Sequence, residues 1–334
     1  MALHLQPQLT FFLLSLYFTI PFLPNLYSHY PYSHYQLKVD AVTKGEGTIV
    51  LQHLSNSGIK KLKNLNKLSL LGLNSLDGTS IQGIQDISSL TNLTFVEISG
   101  GSLSGNPIHG LPSQLATLIV TETLLSDLTK GKFHETNNLV HLDLSKNGRL
   151  SKLVNEENPW ISSPYLTTLV LDETKLSYLS SKVFANTTRI QYFSIKNLKG
   201  KNLGKLPYLP ASLTYLNAEN SGVTGLYGDL PSSLIELYLE NNAITTLPSL
   251  ELLSSLKRFE ISYNKLTAFP KMPTAEDIFD PSPLTRIEAS NNLLTSFSDS
   301  TWVHLERLLW LDLSYNQITT VPKLYKTKDI FLSH

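Results

Sequence analysis

Cysteine is absent from all 334 residues. The chain can therefore form no disulfide, no thiolate metal site and no cysteine nucleophile. Charge is scarce as well, with 16% of residues Asp, Glu, Lys or Arg against about 25% in an ordinary soluble domain. Neither sign is in excess, since 27 basic residues face 27 acidic ones. Such a balance supplies no net field to draw the chain to nucleic acid or to an anionic membrane surface, so neither is an expected partner. Apolar residues make up 41%, enough for a core, and the length suits one large domain or two ordinary ones.

Catalytic signatures are lacking too. GEGTIV at 45–50 begins like a phosphate loop, but the third Gly and the following helix context are missing. No HExxH, EF-hand or GxSxG string occurs. Of the nine His, His141 alone falls on the sheet face predicted below, and a lone surface His is ordinarily a solvated contact residue. PYLP at 207–210 and PKMP at 270–273 fit PxxP but are better read as turns. No catalytic residue, cofactor or metal ligand is assigned, and an enzyme is not expected.

The N-terminus holds the longest apolar run, LTFFLLSLYFTIPFL at 9–23. It has the length of a signal-peptide core and is short for a membrane span, which needs about 20 residues. Residues 1–25 are expected to be a signal peptide. An uncleaved hydrophobic anchor, which would be the only membrane contact, and a buried cap segment are the other readings. The Tyr/His-rich stretch at 26–39, with its tandem YSHY, is read as a linker rather than a metal site, because no further ligand lies near it. Residues 40–64 are expected to form an N-terminal cap.

From residue 65 one cadence governs the chain: L-x-x-L-x-L-x-x-N-x-L, with other aliphatics or Phe allowed for Leu. LDLSYNQITTVP from Leu311, LYLENNAITTLP from Leu237 and FEISYNKLTAFP from Phe259 show it plainly. Units start at Leu65, Leu93, Leu115, Leu139, Leu166, Ile190, Leu213, Leu234, Leu256, Leu284 and Leu308. The L-x-L centre predicts a short strand with both apolar residues inward. Each unit leaves an apolar flank that only a neighbour can cover, so units must stack. Asn147, Asn242, Asn264, Asn292 and Asn316 take the Asn position. The other units place Leu73, Gly101, Thr123, Thr174, Leu198 and Ser221 there. Leu73 and Leu198 cannot hydrogen-bond, so irregular turns are expected at both.

This pattern resembles the leucine-rich repeat family over about residues 62–322, with about eleven units agreeing. The resemblance implies an α/β horseshoe solenoid over 65–322, with a concave parallel sheet, loops or short helices on the convex side, and a short tail at 323–334. It also implies that each Asn turns inward to satisfy backbone groups at the bend. Phe133, Phe184 and Trp302 sit where longer family units place an aromatic plug. LPSQL, LPASL and LPSSL (from Leu111, Leu209 and Leu230) resemble the shorter Pro-containing returns of some bacterial effectors and of receptor-like ectodomains. KMPTAEDIFDPSP, 271–283, is expected to protrude as a loop.

In such a fold the exposed positions of the strands read the partner. Tyr192, Tyr215 and Tyr238 are expected to form one patch across three units, with Glu219, Glu236 and Glu240 beside it. Tyrosine also suits exposed strand positions, so strand propensity is the competing explanation. Arg258 and Arg286 beside Glu260 and Glu288, ending at Trp310 and Asp312, form either a self-satisfied charge ladder or a recognition strip. Asn92-Leu-Thr and Asn186-Thr-Thr are candidate glycosylation sites. The resemblance implies a non-enzymatic module that binds a protein or peptide outside the cell or at its surface. An intracellular scaffold, or an effector solenoid without its catalytic domain, is the alternative.

Overall fold

The structure is a computed structural model that describes residues 48–51, 66–73, 81–82, 87–101, 103–104, 110–126, 128, 136–153, 161, 163–272, 282–296, 305–320 and 327–332. The run at 9–23, the YSHY linker, Phe133, Trp302 and most of the expected loop, 273–281, lie outside these residues. Of the expected cap, residues 48–51 and none before them are described. The chain divides into two compact units, Met1–Leu166 and Thr167–His334.

The first unit carries β1 (Thr48–Leu51), β2 (Lys67–Leu73), β3 (Ile81–Gln82), β4 (Phe95–Gly101), β5 (Leu103–Ser104), β6 (Thr117–Thr121) and β7 (His141–Asp143). Its sheet is parallel in the order β1, β2, β4, β6, β7, and β3 pairs with β5 beside it. The second unit carries β8 (Thr168–Val170), β9 (Tyr192–Ser194), β10 (Gly204–Leu206), β11 (Tyr215–Asn217), β12 (Val223–Leu226), β13 (Glu236–Tyr238), β14 (Arg258–Glu260), β15 (Arg286–Glu288), β16 (Trp310–Asp312) and β17 (Asp329–Phe331). Here the parallel order is β8, β9, β11, β13, β14, β15, β16, β17, with β10 and β12 paired separately. Each of the eleven expected starts is followed two residues later by a strand. β17 falls in the expected tail and pairs in register with β16, Trp310 opposite Asp329.

Burial follows the cadence. The central apolar residue of each strand, from Leu68 through Phe193, Phe259 and Leu311, is at most 1% exposed. The start residues from Leu93 to Leu308 are equally hidden, at most 2% exposed. Each such side chain contributes roughly 1.5–3 kcal/mol by leaving water. Phe184 is the aromatic plug expected of it: it is buried and meets Phe193 edge-on, ring centroids 5.0 Å apart.

The Asn residues hold the bends. Asn292 Nδ2 donates to the carbonyls of Ile261 at 3.0 Å, Ala289 at 3.2 Å and Ser290 at 3.3 Å, and its Oδ1 accepts the Leu266 N–H at 3.0 Å. Asn147, Asn242, Asn264 and Asn316 repeat the arrangement. One amide thereby satisfies its own strand's last carbonyls and one from the preceding repeat, groups that would cost about 1–3 kcal/mol each if left unpaired. Thr174 and Ser221 substitute in part, their hydroxyls donating to Leu171 O and to Ile195 O and Glu219 O.

At the first leucine bend β2 extends as far as Leu73, which pairs with Gly101 of β4; the residues after Leu73, where an irregular turn is expected, lie outside the described residues. At Leu198 the turn is irregular as expected: Lys201 takes a second left-handed conformation, φ 47°. Gly222 lies against it at φ 71°, where an added Cβ would stand 1.9 Å from Lys201 O.

Sequence reading missed a further regularity. The residue before ten of the eleven bend positions is left-handed: Gly100, Glu122, Lys146, Glu173, Asn197, Asn220, Asn241, Tyr263, Asn291 and Tyr315 have φ between 52° and 73°. Several of their N–H groups, among them those of Asn241 and Tyr263, donate to a carbonyl of the next repeat. The return segments are turns, with no helix among the described residues. Between Ser180 and Thr187 three three-residue hydrogen bonds follow one another; a segment this short cannot offset helix nucleation. In the Pro-containing returns, Pro112, Pro210 and Pro231 accept the N–H of the start residue three positions on. Ser212 and Ser233 donate to the start carbonyls of the preceding repeats, Ile190 and Leu213.

Candidate functional site

The candidate site lies within the second unit, on the sheet face turned away from the core. Period-2 alternation puts it there: Leu216, Leu237, Phe259, Ile287 and Leu311 are buried, and their neighbours on either side face outward. Parallel pairing then sets Tyr192 beside Tyr215, and Tyr215 beside Glu236. The Tyr192 and Tyr215 rings stack with centroids 4.2 Å apart and planes 6° from parallel. Tyr238, two residues along β13 from Glu236, leans over Tyr215 at 5.4 Å and 45°. The three tyrosines are thus one contiguous surface.

Tyr238 links this surface to the charges. Its hydroxyl donates to Glu236 at 2.6 Å and accepts from Arg258 Nη1 at 3.2 Å. Desolvation first, and Glu236 second, push its pKa up to about 12, so it remains a neutral donor. Arg258 pairs with Glu260 at 3.0 Å, Arg286 reaches Glu260 at 3.5 Å, and Arg286 also pairs with Glu288. Like charges lie opposite one another in the register, Arg258 with Arg286 and Glu260 with Glu288, and the pairs form between columns. Burial and then Glu288 push Glu260 up, while both arginines pull it down. The Arg286 guanidinium lies 4.5 Å from the centre of the Trp310 ring. Trp310 in turn packs on Phe331 of β17, centroids 4.6 Å apart, and its shielded indole N–H meets no acceptor among the described residues.

Glu240 is the most perturbed carboxyl. Desolvation first, then the charges of Glu260, Glu288 and Glu219, push it up to about 7. Carboxylate oxygens of Glu240, Glu260 and Glu288 lie within 4.8 Å of one another. Sequence reading named these residues but not their convergence, since they stand 20 and 28 positions apart and only the register brings them together. Phe331 was missed altogether; a strand as short as DIF carries no periodic signal. Both sequon asparagines, Asn92 and Asn186, are exposed and lie between strands.

No protein-family model matches the chain. It is similar to lumican from Bos taurus, 25% identical over 187 residues that cover 46% of this chain and 52% of that protein. The chain thus spans about half the length of the curated relatives it matches. Among solved structures, YopM from Yersinia enterocolitica superposes with a TM-score of 0.57 at 24% identity, covering 81% of this chain and 58% of that one. The Arabidopsis receptor kinase HAESA, solved in complex with the peptide hormone IDA and the co-receptor SERK1, gives 0.54 at 24% identity, covering 78% and 43%. Its fold is that of leucine-rich repeat proteins. Leucine-rich repeats present the outward residues of their strands on a fixed backbone, and fold alone does not name what those residues meet.

Proposed function

We propose that this chain is a non-enzymatic recognition module that binds a protein or peptide on the exposed sheet face of its second unit. Tyr192, Tyr215 and Tyr238 are the anchors. Glu219, Glu236, Glu240, Arg258, Arg286 and Trp310 form the polar and aromatic surround. The observation that carries this reading is the unbroken contact of the three tyrosines. Aromatic side chains ringed by polar groups are the usual composition of a binding hot spot. A neighbour in fold, HAESA, holds a peptide hormone, which supports a peptide as one class of partner. The test is selection of displayed random 12-residue peptides on the full chain. Tyr215→Ala with Tyr238→Ala is expected to weaken the selected peptides by more than about 2 kcal/mol without lowering the melting temperature. Unchanged affinity would end the reading.

Delivery is proposed to be through the secretory pathway. Support comes from the apolar run at 9–23 and the exposure of Asn92 and Asn186. Intact mass of the protein expressed in a secreting eukaryotic cell checks it. Protein in the medium that lacks its first 25–35 or so residues and carries sugar at either Asn is the expected result. Full-length, sugar-free protein in the soluble lysate would overturn it and favour the intracellular reading, for which YopM stands as a neighbour in fold.

A further inference from the structure

The carboxylates on the tyrosine-bearing face are unequally neutralised. Glu260 and Glu288 have arginines, Glu236 accepts the Tyr238 hydroxyl, and Asp312 accepts the Ser314 N–H and hydroxyl. Glu219 and Glu240 meet no cation at ion-pair distance and no side-chain donor among the described residues. They stand at matching positions just past β11 and β13, one strand apart, and parallel strands lie about 4.8 Å apart. A single guanidinium or ammonium spans that gap. The faces of Tyr215 and Tyr238 lie on the same two strands, and an aromatic face attracts a cation through its quadrupole. The chain itself uses that attraction on its exposed strands, with Lys67 over Phe95 at 4.2 Å, Arg286 over Trp310 at 4.5 Å and, at Tyr238 itself, Arg258 at 5.9 Å.

We infer that the partner of this face is a basic peptide segment, whose Lys or Arg seats between Glu219 and Glu240 against Tyr215 and Tyr238. The inference rests on the binding reading above and gives it a charge. A carboxylate pair with no internal counter-ion repels itself, and an incoming cation removes that repulsion, which steers encounter and sets specificity. The groups facing Glu240 are Glu219, Glu260, Glu288 and Arg286. With Glu240 pushed up to about 7, acidification discharges the seat, so the same partner binds more weakly below neutrality.

The test starts from peptides selected at pH 7.5 on the full chain from a displayed random 12-residue library, and compares them on the chain, on Glu219→Gln/Glu240→Gln and on Tyr215→Ala/Tyr238→Ala. The expected result has three parts: selected peptides rich in Lys or Arg, a tenfold or greater loss on the glutamine variant, and a comparable loss on the wild type between pH 7.5 and 5.5. Peptides that depend on the tyrosines but show no basic bias, or are indifferent to the glutamine variant, would overturn this inference and leave the binding reading standing. Peptides indifferent to the tyrosines would overturn both. The glutamine variant keeps the size of both side chains, so a matching melting curve separates lost charge from lost fold.

Discussion

In the first unit β2 and β4 each run seven residues and β6 runs five. In the second, every strand of the main sheet runs three. The residues at the bend account for the difference. Leu73 and Gly101 offer no hydrogen-bonding side chain, and β2 and β4 extend as far as those positions. Thr123 gives a strand of intermediate length. Asn147 closes β7 after three residues within the first unit itself, so the effect follows the residue and not the unit. Leu198 is the exception in the second unit. Its bend is kept because Ser221 of the next repeat captures Ile195 O, and because Lys201 turns left-handed over Gly222. A strand in this fold stops short of the bend where a polar side chain takes the carbonyls just past it, and reaches the bend position where the residue there has no such side chain.

The largest test of that contrast is Gly222→Ala. The new methyl meets Lys201 O in a backbone conformation that already disfavours a side chain. A loss of at least about 3 kcal/mol is expected by urea denaturation. A loss under about 1 kcal/mol would mean that the Leu198 bend rearranges freely. Next comes Asn292→Ala, which leaves three carbonyls and one N–H without their partner. It should cost about 2–4 kcal/mol and speed amide exchange locally at Leu266, whose N–H loses its acceptor. Faster exchange throughout would point to general loosening instead.

The exposed charge separates the units as well, since six carboxylates face two arginines across the strand columns of β11 to β16. A carboxyl held up at about 7 against 4.5 when unfolded binds more protons folded than unfolded. Its contribution to stability is therefore greatest below pH 4.5 and lost as pH rises to about 7. Glu240→Gln should stabilise the protein at pH 8 by roughly 1 kcal/mol after discounting for partial exposure, or about 2–4 °C in Tm. At pH 4.5 it should do almost nothing, and an equal gain at both pH values would refute the electrostatic cause. The smallest effect concerns Tyr263, an exposed aromatic at φ 57° where neighbouring repeats use Asn241 and Asn291. Tyr263→Asn is expected to gain about 0.5–1 kcal/mol, since Asn tolerates the left-handed region better. A loss would show that the ring contributes more than its backbone costs.

The strands, their inward residues and the role of Asn147, Asn242, Asn264, Asn292 and Asn316 were legible in the sequence, because each rests on a fixed local spacing. The left-handed residue before ten of the bends was half-legible. Gly100, Asn197, Asn220, Asn241 and Asn291 suit that conformation, but Glu122, Lys146, Glu173, Tyr263 and Tyr315 do not, and the mixture hid the rule. The tyrosine surface was foreseen from column positions. The convergence of three carboxylates beside it was not, because Glu240, Glu260 and Glu288 belong to three different repeats and their meeting depends on register. The extension of β2 as far as Leu73 was not foreseen, because the apolar bend residue was read only for the turn it could not hold.

The Asn side chain ties each bend to the repeat before it, while the stretch from bend to next start is free to vary. Leu213 and Leu234 are 21 residues apart, and Leu256 and Leu284 are 28, yet their strands pair without a shift. A gene for such a chain can gain or lose codons in the returns and leave every outward residue of the sheet where it was. The outward face of the sheet then diverges one substitution at a time, while length change is absorbed in the returns.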